Sequence, residues 1–204
     1  MPNRRRSAEE IRGAIVRSAV RVAGQRGVDG LTHRAVAEAA EVSLSSTTYH
    51  FASRDDIVAA ALRWLAEQER AKAHAAVEAL PARVRQSGLT HDDLLNLITE
   101  ELVPEDRTAL RAQYELQLYA ADHPHLQAEV QTWIDAIEAM FGEVLERLEV
   151  PRPAETARLL VAVIDGLRLT ALTTPATEAG AVRNRAALSW LLENLLPRPP
   201  HDSA

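Results

Sequence analysis

Seven consecutive residues, Leu44-Ser45-Ser46-Thr47-Thr48-Tyr49-His50, carry five hydroxyls and an imidazole. Such a run makes a poor core element. Short hydroxyls and imidazoles reach phosphates and base edges without long flexible arms, so the chemistry it suits is the reading of DNA. Two other polar clusters, His91-Asp92-Asp93 and Asp122-His123-Pro124-His125, raise metal or acid–base chemistry. The first falls at an expected helix start, where acids complement the dipole; the second is a helix-to-helix corner. No inward pair of carboxylates at helical spacing, phosphate-cradling glycine loop or nucleophile with an evident base accompanies them. No enzymatic activity, metal site or cofactor is expected.

The elements that would hold the hydroxyl-rich run can be read around it. Ser7-Ala8-Glu9-Glu10 is a capping box, and Ile11, Ile15, Ala19, Val22 and Ala23 repeat at helical spacing to about Gln25. Gly27 and Gly30 supply the stop. Thr32 can cap a second helix with Val36, Ala37 and Ala40 inward; Val42 fills the turn and Ser43 caps the third helix. Val42 and Phe51 are expected in the core, and Tyr49 is divided between core and surface. Ser53-Arg54-Asp55-Asp56 opens a long helix through Ile57, Ala61, Trp64 and Leu65 towards Leu80, before Pro81. Five more helices follow, over His91–Val103, Asp106–Ala121, His125–Leu148, Pro153 to about Thr174, and Ala179–Leu196, with Pro104 between the first two. The expectation is an all-α chain of about nine helices.

Composition agrees. The 204 residues are 47% hydrophobic but only 4% aromatic, and Ala, Leu, Arg and Glu dominate. There is no cysteine, which excludes disulfides and thiolate metal sites. Met1 to Arg6 is basic with no apolar signal core after it, and Leu159 to Leu172 is interrupted by Asp165 and Arg168. A cytoplasmic protein without membrane contact is expected. The net charge of −6 argues against a nucleic-acid binder, but the distribution of that charge argues for one. Residues 1–54 hold nine arginines against five acids, a net of +4, and the remainder nets −10. A basic head on an acidic body fits local contact with phosphate.

The opening helix, Leu31-Thr32, the segment Val36 to Ser43 (VAEAAEVS), Tyr49-His50-Phe51 and Ser53-Arg54 together resemble the TetR family of bacterial transcription regulators. The likeness is specific over roughly residues 8–60; beyond, helix lengths and Asp165-Gly166-Leu167 match loosely. It implies a helix-turn-helix domain over 7–54 with a recognition helix at about 43–50. An effector-binding and dimerisation domain would span 55–198, with flexible tails at 1–6 and 199–204. By position, Leu44, Ser45 and Thr48 would face base edges in a major groove about 12 Å wide. Ser46, Tyr49, His50 and Arg54 would hold phosphates, as would Thr32 and Arg34 at the second helix's N-terminus. Arg4, Arg5 and Arg6 would follow the backbone or enter a minor groove. Two departures from the family pattern stand out: Glu41 where the turn usually has glycine, and Thr47-Thr48 where an apolar residue and an aromatic are usual.

The resemblance also implies a homodimer and a small-molecule effector. Independently, Ala157–Leu172 is apolar on nearly every side, and Leu188, Trp190, Leu191, Leu192, Leu195 and Leu196 crowd the last helix. Pairing of the last two helices with those of a second copy would cover both. Candidate effector contacts, between the long helix after Arg54 and those from His91 to Leu148, are Trp64, Gln113, Tyr114, Gln117, Tyr119, Trp133, Met140 and Phe141. That mix suits a moderately apolar, aromatic or drug-like ligand. The expected function is a repressor that binds a palindromic operator as a dimer and is released by the effector. The competing reading is a helical protein–protein adaptor that does not bind DNA.

Overall fold

The computed structural model describes residues 7–78, 91–102, 107–147, 149–175 and 177–195. Among them it contains no strand. Its helices are α1 (Ala8–Arg26), α2 (His33–Ala40), α3 (Leu44–His50), α4 (Arg54–Glu78), α5 (His91–Leu102), α6 (Arg107–Ala121), α7 (Pro124–Arg147), α8 (Pro153–Thr173) and α9 (Glu178–Leu195), with one 3-10 turn at Val28–Gly30. The expected helix ends at Leu80, Val103, Asp106, Leu148 and Leu196 lie outside the described residues. So do Pro81, Pro104, Arg4 to Arg6 and the tail 199–204.

The chain divides into two compact units: Met1–Arg70 with Asp106–Trp133, and Ala71–Glu105 with Ile134–Ala204. In the first, local signals set the helix ends. The Ser7 hydroxyl accepts from Glu10 N at 3.1 Å while the Glu10 carboxylate accepts from Ser7 N at 2.6 Å. Gly27, at φ 73°, ends α1 in a backbone conformation that side chains resist. Thr32 caps α2 by accepting from Ala35 N, and Ser43 caps α3 by accepting from Ser46 N, each at 3.1 Å. Ser53 and Asp56 cap α4 reciprocally, the shorter Asp standing in for Glu. The turn between α2 and α3 closes as a Schellman motif: Val42 N bonds Ala37 O at 3.0 Å and Glu41 N bonds Glu38 O at 3.2 Å. Glu41 is left-handed there, at φ 54° and ψ 46°.

α1 packs against α2, α3 and α6. Ile15, Ala19, Val22 and Ala23 on α1, Val36, Ala37 and Ala40 on α2, and Phe51 after α3 are all buried in this unit, as are Leu110 and Leu116 on α6. Val42 is only half-buried. Tyr49 corrects its shared assignment to the core: it is 83% exposed. Thr47 takes the buried place instead, and its hydroxyl, inaccessible to water, donates to Leu44 O at 2.8 Å. α1 and α6 approach closely because Gly24 has no side chain; a Cβ there would stand 2.1 Å from the Thr108 carbonyl oxygen.

In the second unit α5 packs against α8 and α9. Its core joins Leu95 and Ile98, Leu145 and Val150, Leu160 and Ile164, and Leu188 and Leu192. Arg185 donates to the Asn96 side chain at 2.8 Å and Arg158 pairs with Glu138 at 3.3 Å.

Candidate nucleic-acid interface

α3 presents an outward face with little to do inside the molecule. Leu44 is 51% exposed, and Ser45, Thr48 and Tyr49 are exposed beside it. Ser46 and His50 are half-buried, and the His50 ring meets Tyr49 edge-on at 5.2 Å. The hydroxyls are already ordered by the helix start. Ser43 Oγ lies 2.8 Å from both Ser45 Oγ and Ser46 Oγ. Thr48 Oγ1 turns its proton back to the carbonyls of Leu44 and Ser45, at 3.3 and 3.2 Å, so its lone pairs remain to accept. Thr32 and Arg34 lie exposed at the start of α2, a helix end whose free N–H groups and dipole favour anions. A seven-residue helix bearing short polar groups, braced by two longer helices, has the size and chemistry to enter a major groove.

Arg54 stands apart from this set. Its side chain is 33% exposed. Nη2 donates to Val28 O and stands 3.9 Å from Asp29, and Cζ lies 4.8 Å from the centre of the Tyr119 ring. The neighbouring Asp55 accepts from the Tyr119 hydroxyl at 2.8 Å and from His125 Nε2 at 2.7 Å. His123 stacks on the same ring at 3.8 Å, with its Nδ1 2.7 Å from Tyr119 O. Burial pushes the Asp55 carboxyl up, but the hydrogen bonds from Tyr119 and His125 and the imidazole charges outweigh it, leaving it below its ordinary value. Tyr119 moves upward, from burial and from the bond and charge of Asp55, against the pull of Arg54. Sequence reasoning saw the corner at His123 and His125 but not its partner, which is separated by 70 residues. Among the described residues no group of three or more His, Asp or Glu is arranged to hold a metal.

A family model described as bacterial regulatory proteins, tetR family, matches residues 15–61, and a tetracyclin repressor-like C-terminal domain model matches residues 85–198. The chain belongs to the TetR family. It is therefore a DNA-binding transcription regulator. Similar solved structures include the multidrug binding protein EbrR complexed with imidazole, 36% identical over 93% of this chain and 97% of that one, with a TM-score of 0.66. The same protein complexed with ethidium is 35% identical over 92% and 99%, at 0.67. A TetR member from Streptomyces coelicolor A3, SCO1917, is 35% identical over 93% and 99%, also at 0.67. A transcriptional regulator from Rhodococcus sp. Rha1, RHA1_ro04179, is 26% identical over 90% and 95%, at 0.72. No match is found among curated proteins.

The effector candidates of this TetR protein fall in different places. Gln113, Tyr114 and Gln117 share one face of α6, with Gln113 buried and the others half-buried. Trp133 is buried, and its indole donates to the Glu69 carboxylate at 2.8 Å. These belong to the first unit; Met140 and Phe141, both half-buried, belong to the second, where Phe141 packs on the core. Trp64 instead lines a cavity of about 740 Å³ whose other walls include Arg17, Arg21, Glu41 and Thr108. Tyr119 is engaged with Arg54, Asp55 and His123. No helix among the described residues is long and apolar enough to cross a membrane.

Proposed function

We propose that the protein is a transcriptional repressor that grips a palindromic operator as a homodimer and leaves it when a small aromatic effector binds. The outward face of α3 carries this reading: its hydroxyls and Leu44 are exposed, capped in place and unused by the core. Leu44 would meet thymine methyls, and Ser45 would pair with several bases. Thr48, whose proton is spent on the helix backbone, would accept from a base amino group, as adenine N6 or cytosine N4. Thr32, Arg34, Ser46, Tyr49 and His50 would hold phosphates around the groove, with Arg4 to Arg6 available to the backbone.

The dimer would form through the second unit. Leu159, Ala162, Gly166, Leu169 and Thr173 recur at helical spacing along the exposed side of α8, as Val182, Ala186 and Trp190 do on α9. A Cβ on Gly166 would touch nothing within 4 Å. Small and apolar positions of this kind permit close packing of helices from a second copy. Two heads held about 34 Å apart would then match successive major grooves. For the effector, the α6 face of Gln113, Tyr114 and Gln117 supplies polar and aromatic contacts, and the binding of ethidium, a flat aromatic cation, by EbrR supports that ligand class. A ligand can weaken operator affinity only by as much as it prefers the non-binding arrangement.

Fluorescence anisotropy on a duplex recovered from a random pool by the protein itself tests this reading. Binding is expected to fall steeply with salt, with a slope of about −0.9 per phosphate neutralised. Ethidium binding, measured by calorimetry without DNA, should be accompanied by release of the duplex at ethidium concentrations that leave an unrelated DNA-binding protein on its own duplex, because ethidium also intercalates. Salt-insensitive binding would favour an adaptor, and an effector that binds without weakening the operator complex would remove the switch.

A further inference from the structure

α4 opens at Arg54, a short step beyond the end of α3 at His50, so whatever fixes Arg54 and Asp55 also fixes the entry angle of α3. The Arg54 side chain is held inside the first unit. Nη2 is on Val28 O, the guanidinium lies against Tyr119, and Nε is buried with no hydrogen-bond partner. With Nε buried and Nη2 already on Val28 O, the side-on pair of donors is turned into the protein and not towards a phosphate. Asp55 meanwhile holds both Tyr119 and His125 from the α6–α7 corner.

We propose that Arg54 is a positioning residue, which with Asp55, Tyr119 and His125 forms a latch that sets the orientation of α3 against α6 and the α6–α7 corner. This deepens the DNA-binding reading and rests on it. The role is distinct from phosphate contact, and salt separates the two. Losing a phosphate contact lowers the slope of log affinity against log salt by about 0.9, whereas losing orientation lowers affinity at an unchanged slope. The two roles also respond differently to Lys, a compact point charge that can serve a phosphate but cannot reproduce a planar group lying on a ring.

The test uses the full chain and the duplex it selects, with Arg54→Ala, Arg54→Lys, Tyr119→Phe and the Arg54→Ala/Tyr119→Phe pair, each checked by thermal melting. The latch predicts that Arg54→Ala and Tyr119→Phe each weaken binding about tenfold and that the pair is little worse than the worse single, as for residues in one network. The parent's salt slope is retained, and Arg54→Lys behaves as Arg54→Ala. Where a variant melts below the assay temperature, His125→Gln replaces it under the same expectation. A slope reduced by about 0.9 in Arg54→Ala and restored by Lys would overturn the latch in favour of phosphate contact. A Tyr119→Phe protein that binds as the parent does would also overturn it. A parent with no salt-dependent grip on any duplex would sink the DNA-binding reading and the latch together.

Discussion

Glu41 holds a left-handed backbone at the turn between α2 and α3, where glycine would carry no side-chain penalty. The strain is tolerated because the Schellman bonds of Glu41 and Val42 close the end of α2 and aim α3. Glu41→Gly should therefore raise stability by about 1 kcal/mol in urea unfolding with DNA affinity kept; a loss of stability would mean that the Glu41 side chain contributes something no contact reveals. Asp55 makes a second prediction, in acid. Its folded carboxyl lies below the ordinary value of 3.8, so its stabilisation is present in full above that value and is lost as pH falls through the folded one. Asp55→Asn should flatten the fall in melting temperature as the pH is taken below 3.8. A parent and variant with parallel profiles would show that the bonds from Tyr119 and His125 do not outlast thermal motion in solution.

The helices illustrate what can be read from sequence and what cannot. Caps at Ser7, Thr32, Ser43 and Ser53 were legible because each bond spans three residues. The turn at Glu41 stood out only against the family pattern, which usually has glycine there, and its left-handed backbone is seen in the structure. Side-chain fates set by distant partners were not legible. The sequence shows neither the Val28 carbonyl and Tyr119 ring that lie against Arg54 nor the α1 residues that share a cavity with Trp64. Trp133 and Glu69 meet across 64 residues. Tyr49 was shared between core and surface because Thr47, a buried hydroxyl satisfied by its own helix, is an unusual core residue. The close approach of α1 to α6 was likewise hidden in a lone glycine. Gly24→Ala would drive a methyl into the Thr108 carbonyl, so α1 and α6 must part; a loss of about 1–3 kcal/mol is expected in chemical unfolding. An unaltered midpoint would show that the two helices are looser than their packing indicates.

The whole molecule pairs a basic head with an acidic body that leaves large apolar side chains on α8 and α9 uncovered, Trp190 at 65% and Val182 at 62% exposed. The proposed dimer would cover them, and Trp190→Glu should then shift the protein from twice its chain mass to a monomer in sedimentation while leaving Leu188 and Leu192, both buried, to hold the fold. A parent that sediments as a monomer at micromolar concentration would remove the two-half-site model. The central claim is that the exposed face of α3 reads bases, and the most direct measurement is the ratio of affinity for the selected duplex to that for random duplex. In a Leu44→Ala/Ser45→Ala/Thr48→Ala variant, each lost base contact should contribute about tenfold or less, collapsing the ratio towards one while random-duplex affinity stays at the parent's value. A variant that still prefers the selected duplex as strongly as the parent would contradict the account.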